Sequence, residues 1–69
     1  MDWVFLDTNA FYKLYVPEIG STWLRNYVVG KRIVISELAM IESATALGAT
    51  YRNGRFSKAE AAKIFAQMT

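Results

Sequence analysis

Trp3-Val4-Phe5-Leu6-Asp7-Thr8-Asn9 is the run that decides the fold. Its first four residues are apolar and β-favouring without polar alternation, the pattern of a strand covered on both faces and so of a parallel sheet. An acid follows directly. In open α/β sheets ligands bind just beyond the carboxyl ends of the strands, so a carboxylate delivered there is a candidate metal ligand or base. The same aspartate also reads as a turn or N-cap residue at a helix start.

Outward from this run, Thr8 or Asn9 can cap a helix expected over 9–15, with Phe11, Leu14 and Tyr15 on one face and Pro17 ending it. After the turn at 17–20, Ser21 can cap a second helix over 21–29. Its Trp23, Leu24, Tyr27 and Val28 recur at helical spacing, Arg25 and Asn26 face away, and Gly30 suits a left-handed stop. Ile33-Val34-Ile35 is a second β-branched run, expected as a strand over 33–35. Ser36 then caps a long helix over 37–52. Glu37 lies in its favourable first turn, and Met40, Ile41, Ala44, Leu47 and Ala49 make it apolar on nearly every side. Asn53-Gly54 stops that helix. Ser57-Lys58-Ala59-Glu60 is a capping box opening a last helix over 58–68, with Ile64, Phe65 and Met68 expected as its inner face.

The order β-α-α-β-α-α defines an α/β class with two parallel strands, about 3–6 and 33–35, joined by a right-handed crossover. A pair of such strands wants further strands against its edges and faces. Sixty-nine residues make one domain, which buries only roughly 60% of its unfolded surface. Yet 54% of residues are hydrophobic and 14% aromatic against 20% charged, proportions of a larger interior. Part of that apolar surface is therefore expected to meet more core or a second subunit. There is no cysteine, no apolar stretch near the ~18 residues of a membrane span and no leader-like start, so a cytoplasmic, unprocessed chain is expected. The net charge of +2 permits nucleic-acid binding without arguing for it.

Glu42 is the second acid that draws the eye. On the long helix it shares a face with Leu38, Thr45 and Ala49, so a carboxylate sits among small or apolar neighbours, and a buried acid must be paired, protonated or metal-bound. An ordinary solvent-facing glutamate is the plainer reading. Both acids follow a parallel-type strand, Asp7 at once and Glu42 in the second turn of the next helix. Both can therefore lie at the carboxyl-end rim where a metal and a phosphate would bind. The remaining acids do not join them. Asp2 is at the far end of its strand, Glu18 lies in a turn, and Glu37 and Glu60 are helix-start charges.

Taken together, Val4 through Tyr15, then Pro17-Glu18 and Gly20-Ser21, then Val34-Ile35-Ser36-Glu37-Leu38-Ala39-Met40-Ile41-Glu42, resemble the amino-terminal half of a PIN-domain ribonuclease of the VapC toxin type. The resemblance spans essentially the whole chain, 1–69, and implies an incomplete PIN-like three-layer fold. It further implies a Mg²⁺- or Mn²⁺-dependent endonuclease that hydrolyses RNA and is silenced by a cognate antitoxin. Asp7 matches the first metal-binding acid of the family, Glu42 the second, and Asn9 the polar residue that helps orient the first acid and the substrate. The family's other aspartates lie on later elements, so the expectation is a half-complete pocket, weak metal binding and little activity of this chain alone.

Plainer roles stand beside the remaining candidates. Arg52, Arg55, Lys58 and Lys63 can touch phosphates, but a solvated helix end explains them too. Trp3, Trp23, Phe11, Tyr27 and Phe65 can stack on bases, but aromatics at core spacing usually fill a core. A non-catalytic module for self-association or antitoxin capture is the alternative function. An aspartyl phospho-acceptor at Asp7 would want a second acid two residues on, where Asn9 stands.

Overall fold

The computed structural model describes residues 2–69 as a mixed α/β chain of two strands and four helices. β1 (Trp3–Phe5) leads to α1 (Thr8–Tyr15) and α2 (Ser21–Val28), then β2 (Arg32–Val34), α3 (Glu37–Arg52) and α4 (Lys58–Met68). The strands pair in parallel, with Trp3 opposite Arg32, Val4 opposite Ile33 and Phe5 opposite Val34. Arg32 N–H donates to the Asp2 carbonyl at 2.8 Å and Leu6 N–H to the Val34 carbonyl at 3.0 Å, so the ladder runs past the strand ends on both sides. No helix is long and apolar enough to cross a membrane among the described residues.

The sheet departs from the sequence expectation on one face. Facing residues of a parallel pair share a side, so Val4 and Ile33 lie on one face and Trp3, Phe5, Arg32 and Val34 on the other. Val4 packs on the core, and so does Ile35, but Trp3 and Phe5 remain 66% and 68% exposed. Strand type was legible from the apolar run; a second covered face was not delivered, because none of the four helices lies over that side.

Three helix starts behave as their residue types dictate, and one does not. Ser36 Oγ accepts from Ala39 N–H at 3.0 Å, and Ser57 and Glu60 satisfy each other's backbone donors at 3.1 and 2.8 Å. At α1 the cap is Asp7 itself, whose Oδ1 accepts from Ala10 N–H at 2.9 Å, so neither Thr8 nor Asn9 caps and the helix begins one residue early. At α2 the N-cap is Gly20, at a φ of 90° with no side-chain cap. Ser21 does not cap. It is buried, accepts from Glu18 N–H at 2.9 Å and donates to the Val16 carbonyl at 3.4 Å, bracing the turn that Pro17 opens.

α1 is the hub, packing against α2, α3 and α4. Leu6, Phe11, Tyr12, Val16, Leu24, Leu47 and Met68 form the core, and the Tyr12 hydroxyl shares a 2.7 Å hydrogen bond with Thr50 Oγ1. Three expected inner positions turn outward instead. Trp23 and Tyr27 are 68% and 44% exposed while Leu24 and Val28 face in, and Phe65 is exposed while Ala61, Ile64 and Met68 carry the inner face of α4. A helix buries only the stripe that faces its neighbours, and flanking residues of that stripe stay in water. For the same reason α3 buries Ala39, Ser43 and Leu47 and leaves Leu38 and Ile41 exposed.

Candidate metal centre

Asp7 stands at the carboxyl end of β1, one residue past Leu6 and one before α1. The strand-to-helix turn must satisfy the free N–H groups of the first helical turn, and the short aspartate side chain reaches back to Ala10 to do so. The capping role read from the sequence falls on this side chain: Oδ1 is engaged by the helix, and Oδ2 is the oxygen a ligand would meet. The next residue carries the link to α3. Thr8 Oγ1 donates to Glu42 Oε1 at 2.7 Å, which brings the second acid to the same end of the strand pair.

Glu42 is exposed, not buried among its apolar neighbours. Leu38, Thr45 and Ala49 do share its face, but that face is turned outward because Ala39, Ser43 and Leu47 hold the opposite side of α3 against the core. An exposed carboxylate held by one hydroxyl keeps Oε2 available.

A groove of about 320 Å³ opens beside Asp7. Asp7, Asn9 and Lys13 line it from the start and outer face of α1, with Ala10 between them, and Gly20, Trp23 and Leu24 line it from α2. Asn9 and Asp7 line one groove, while Glu42 is not part of its wall and is joined to Thr8. Among the described residues no group of three or more acidic or imidazole side chains comes together as a ready metal cluster. The donor set is two hard carboxylates, the right chemistry for Mg²⁺ or Mn²⁺, but fewer protein ligands than would hold such an ion tightly.

Sequence reasoning gave Thr8 only a capping role and gave Lys13 none at this site. Lys13 follows Ala10 by three residues and so lies on the helix face that looks along the groove, a signal present in the spacing. Trp23 stood among the aromatics that can stack on bases, with a core position as the plainer reading of its spacing. Of the basic residues around the turn between α3 and α4, Arg55 is tethered. Arg55 Nη2 donates to the Pro17 carbonyl while its guanidinium lies 5.1 Å from the Phe56 ring centre, and Arg52 folds back over Gly48.

No protein-family model, curated protein or solved structure matches the chain.

Proposed function

We propose that the chain is the acid-bearing part of a PIN-like, VapC-type endoribonuclease that hydrolyses RNA phosphodiesters with Mg²⁺ or Mn²⁺. The observation that carries this reading is the Thr8 to Glu42 hydrogen bond, which sets Glu42 beside the residue following Asp7 at the carboxyl end of a parallel strand. Asp7 and Glu42 would hold the cation and Asn9 would orient substrate in the groove. A bound divalent cation supplies a more acidic water and neutralises phosphate charge. The chain's own residues do the positioning. Thr8 fixes the Glu42 carboxylate, Asp7 is fixed by Ala10, and Lys13 places a cation in the groove where a phosphate would lie. Two carboxylates bind Mg²⁺ weakly, so turnover by these residues alone is slow.

Purified chain incubated with RNA and Mn²⁺ tests this. Asp7→Asn is the decisive variant, because asparagine caps a helix as well as aspartate and removes only the charge. At most slow cleavage is expected, needing Mn²⁺ and lost in Asp7→Asn; Mn²⁺-dependent cleavage unchanged in that variant refutes the assignment.

A second reading is favoured by a separate observation. Trp3, Phe5, Leu38 and Ile41 are each more than half exposed, an apolar surplus that suits self-association or an antitoxin protein as partner. Light scattering across concentrations checks the first of these, and a monomer throughout counts against it.

A further inference from the structure

α2 presents an aromatic pair to solvent. The Trp23 and Tyr27 rings are stacked, 5.2 Å between centres and 9° from parallel, and Lys31 Nζ lies 4.6 Å from the Tyr27 ring centre. Two large aromatic side chains left in water are costly to a chain this small, and neither is held there by the core. Their placement is ordered all the same. Lys31 donates to the Tyr27 carbonyl at 2.7 Å, which sets a cation beside the rings, and Arg25 donates to the Leu14 carbonyl at 3.1 Å, which ties the last turn of α2 to α1. From Ile19 to Ser36 the chain has Arg25, Lys31 and Arg32 and no acid.

Trp23 also lines the groove that holds Asp7, Asn9 and Lys13. Tyr27, one turn toward the end of α2, covers one face of the indole. The groove that Trp23 lines extends to Gly20 at the start of α2, where there is no side chain and a Cβ would meet nothing within 4 Å, so the groove beside the indole has room on that side. A flat aromatic face, adjacent cations and an acid-free helix suit a planar group carried on an anionic backbone.

We propose that Trp23, backed by Tyr27, is a base-stacking platform that takes an unpaired base of single-stranded RNA while Lys13 meets its backbone phosphate. The position of this base next to Asp7 rests on the nuclease reading; the binding itself does not. An unpaired strand is specified over a duplex because the face of a base is free only when it is out of a helical stack.

The test is fluorescence anisotropy of a labelled short oligoribonucleotide with the full chain in EDTA, where no cleavage interferes. Tighter binding of the single strand than of the same sequence in duplex is expected. Trp23→Ala should weaken single-strand binding roughly tenfold or more, within the range of one stacked base, while Trp23→Phe retains most of it and Phe65→Ala, an exposed aromatic on α4, leaves it unchanged. Trp23→Ala binding both forms as the unaltered chain does, or losing both equally, overturns the proposal. So does an oligomer in light scattering that Trp23→Ala dissociates with RNA binding unaffected, which would assign the patch to a second copy. Trp23-dependent binding together with Mn²⁺-dependent cleavage that Asp7→Asn leaves unchanged sustains the platform and sinks the nuclease reading alone. Asp7-dependent cleavage that proceeds equally in Trp23→Ala does the reverse.

Discussion

The Thr8 hydroxyl donates to Glu42 Oε1 at 2.7 Å across 34 positions of sequence, tying the first turn of α1 to the second turn of α3. The bond is exposed, so its contribution to stability is small, on the order of 1 kcal/mol or less. Its effect is on where one carboxylate points. Thr8→Val keeps the shape and removes the donor. The unfolding midpoint in urea should barely move, while Mn²⁺-dependent RNA cleavage falls roughly ten- to a hundredfold, as for other groups that orient a metal ligand. Equal cleavage by Thr8→Val and the unaltered chain would show that Glu42 needs no such guide.

Asp7 serves the fold as well as the site, and two substitutions separate the roles. Asp7→Ala removes the cap to Ala10 and should destabilise the chain by about 1 kcal/mol, whereas Asp7→Asn should leave stability nearly unchanged. Urea titrations of the two variants check this; equal losses in both would mean that charge, not capping, holds the turn.

Two neighbouring stripe residues of α3 should respond in opposite directions. Leu47 is in the core, and Leu47→Ala should cost about 2–5 kcal/mol, much of the total for a chain of this length, leaving it largely unfolded at ordinary temperature. Ser43 is fully buried, and its hydroxyl has no hydrogen-bond partner. Ser43→Ala removes a polar atom that gains nothing in the core, and thermal melting should rise by the equivalent of about 1 kcal/mol or more. A lower melting temperature for that variant would indicate that the hydroxyl is satisfied in solution.

Acid should act on α4 through its capping box. The Glu60 carboxyl is held below its ordinary value of 4.5, first by the Ser57 backbone N–H and then by the Ser57 hydroxyl. A depressed folded-state pKa stabilises above the unfolded-state value, and that stabilisation disappears as pH falls through the folded-state one. Helical circular dichroism followed from pH 4.5 downward should show a loss that Glu60→Gln largely removes. The same acid slope in both proteins would assign the loss to other carboxylates.

Element type and order were legible because each boundary is marked by short-range chemistry: an acid or serine at three of the helix starts, and glycine at Gly30 and Gly54 in the left-handed region where the helices stop. That Asp7 and Glu42 lie toward one end of the strand pair was expected because parallel strands deliver their next residues to one common rim, whereas Asn9 was assigned to the site only by the family resemblance. Which face of a helix is covered was not legible. Trp23, Tyr27 and Phe65 sit at spacings that fit a core, and whether such a residue is buried depends on how many neighbours its helix has in space. Glu42 follows the plainer of its two readings, exposed beside Leu38 and Thr45, which are themselves in water.

The cap from Asp7 to Ala10 also fixes which acid this position can tolerate. One carboxylate oxygen is anchored by a backbone N–H, so the other has no freedom to wander and its direction is set before any ligand arrives. A glutamate would bring the same charge on a longer arm, and that arm would reach past the N–H it must hold. The turn thus discriminates between two side chains of identical chemistry by length alone, and the reach of the site is written into the geometry of a helix start.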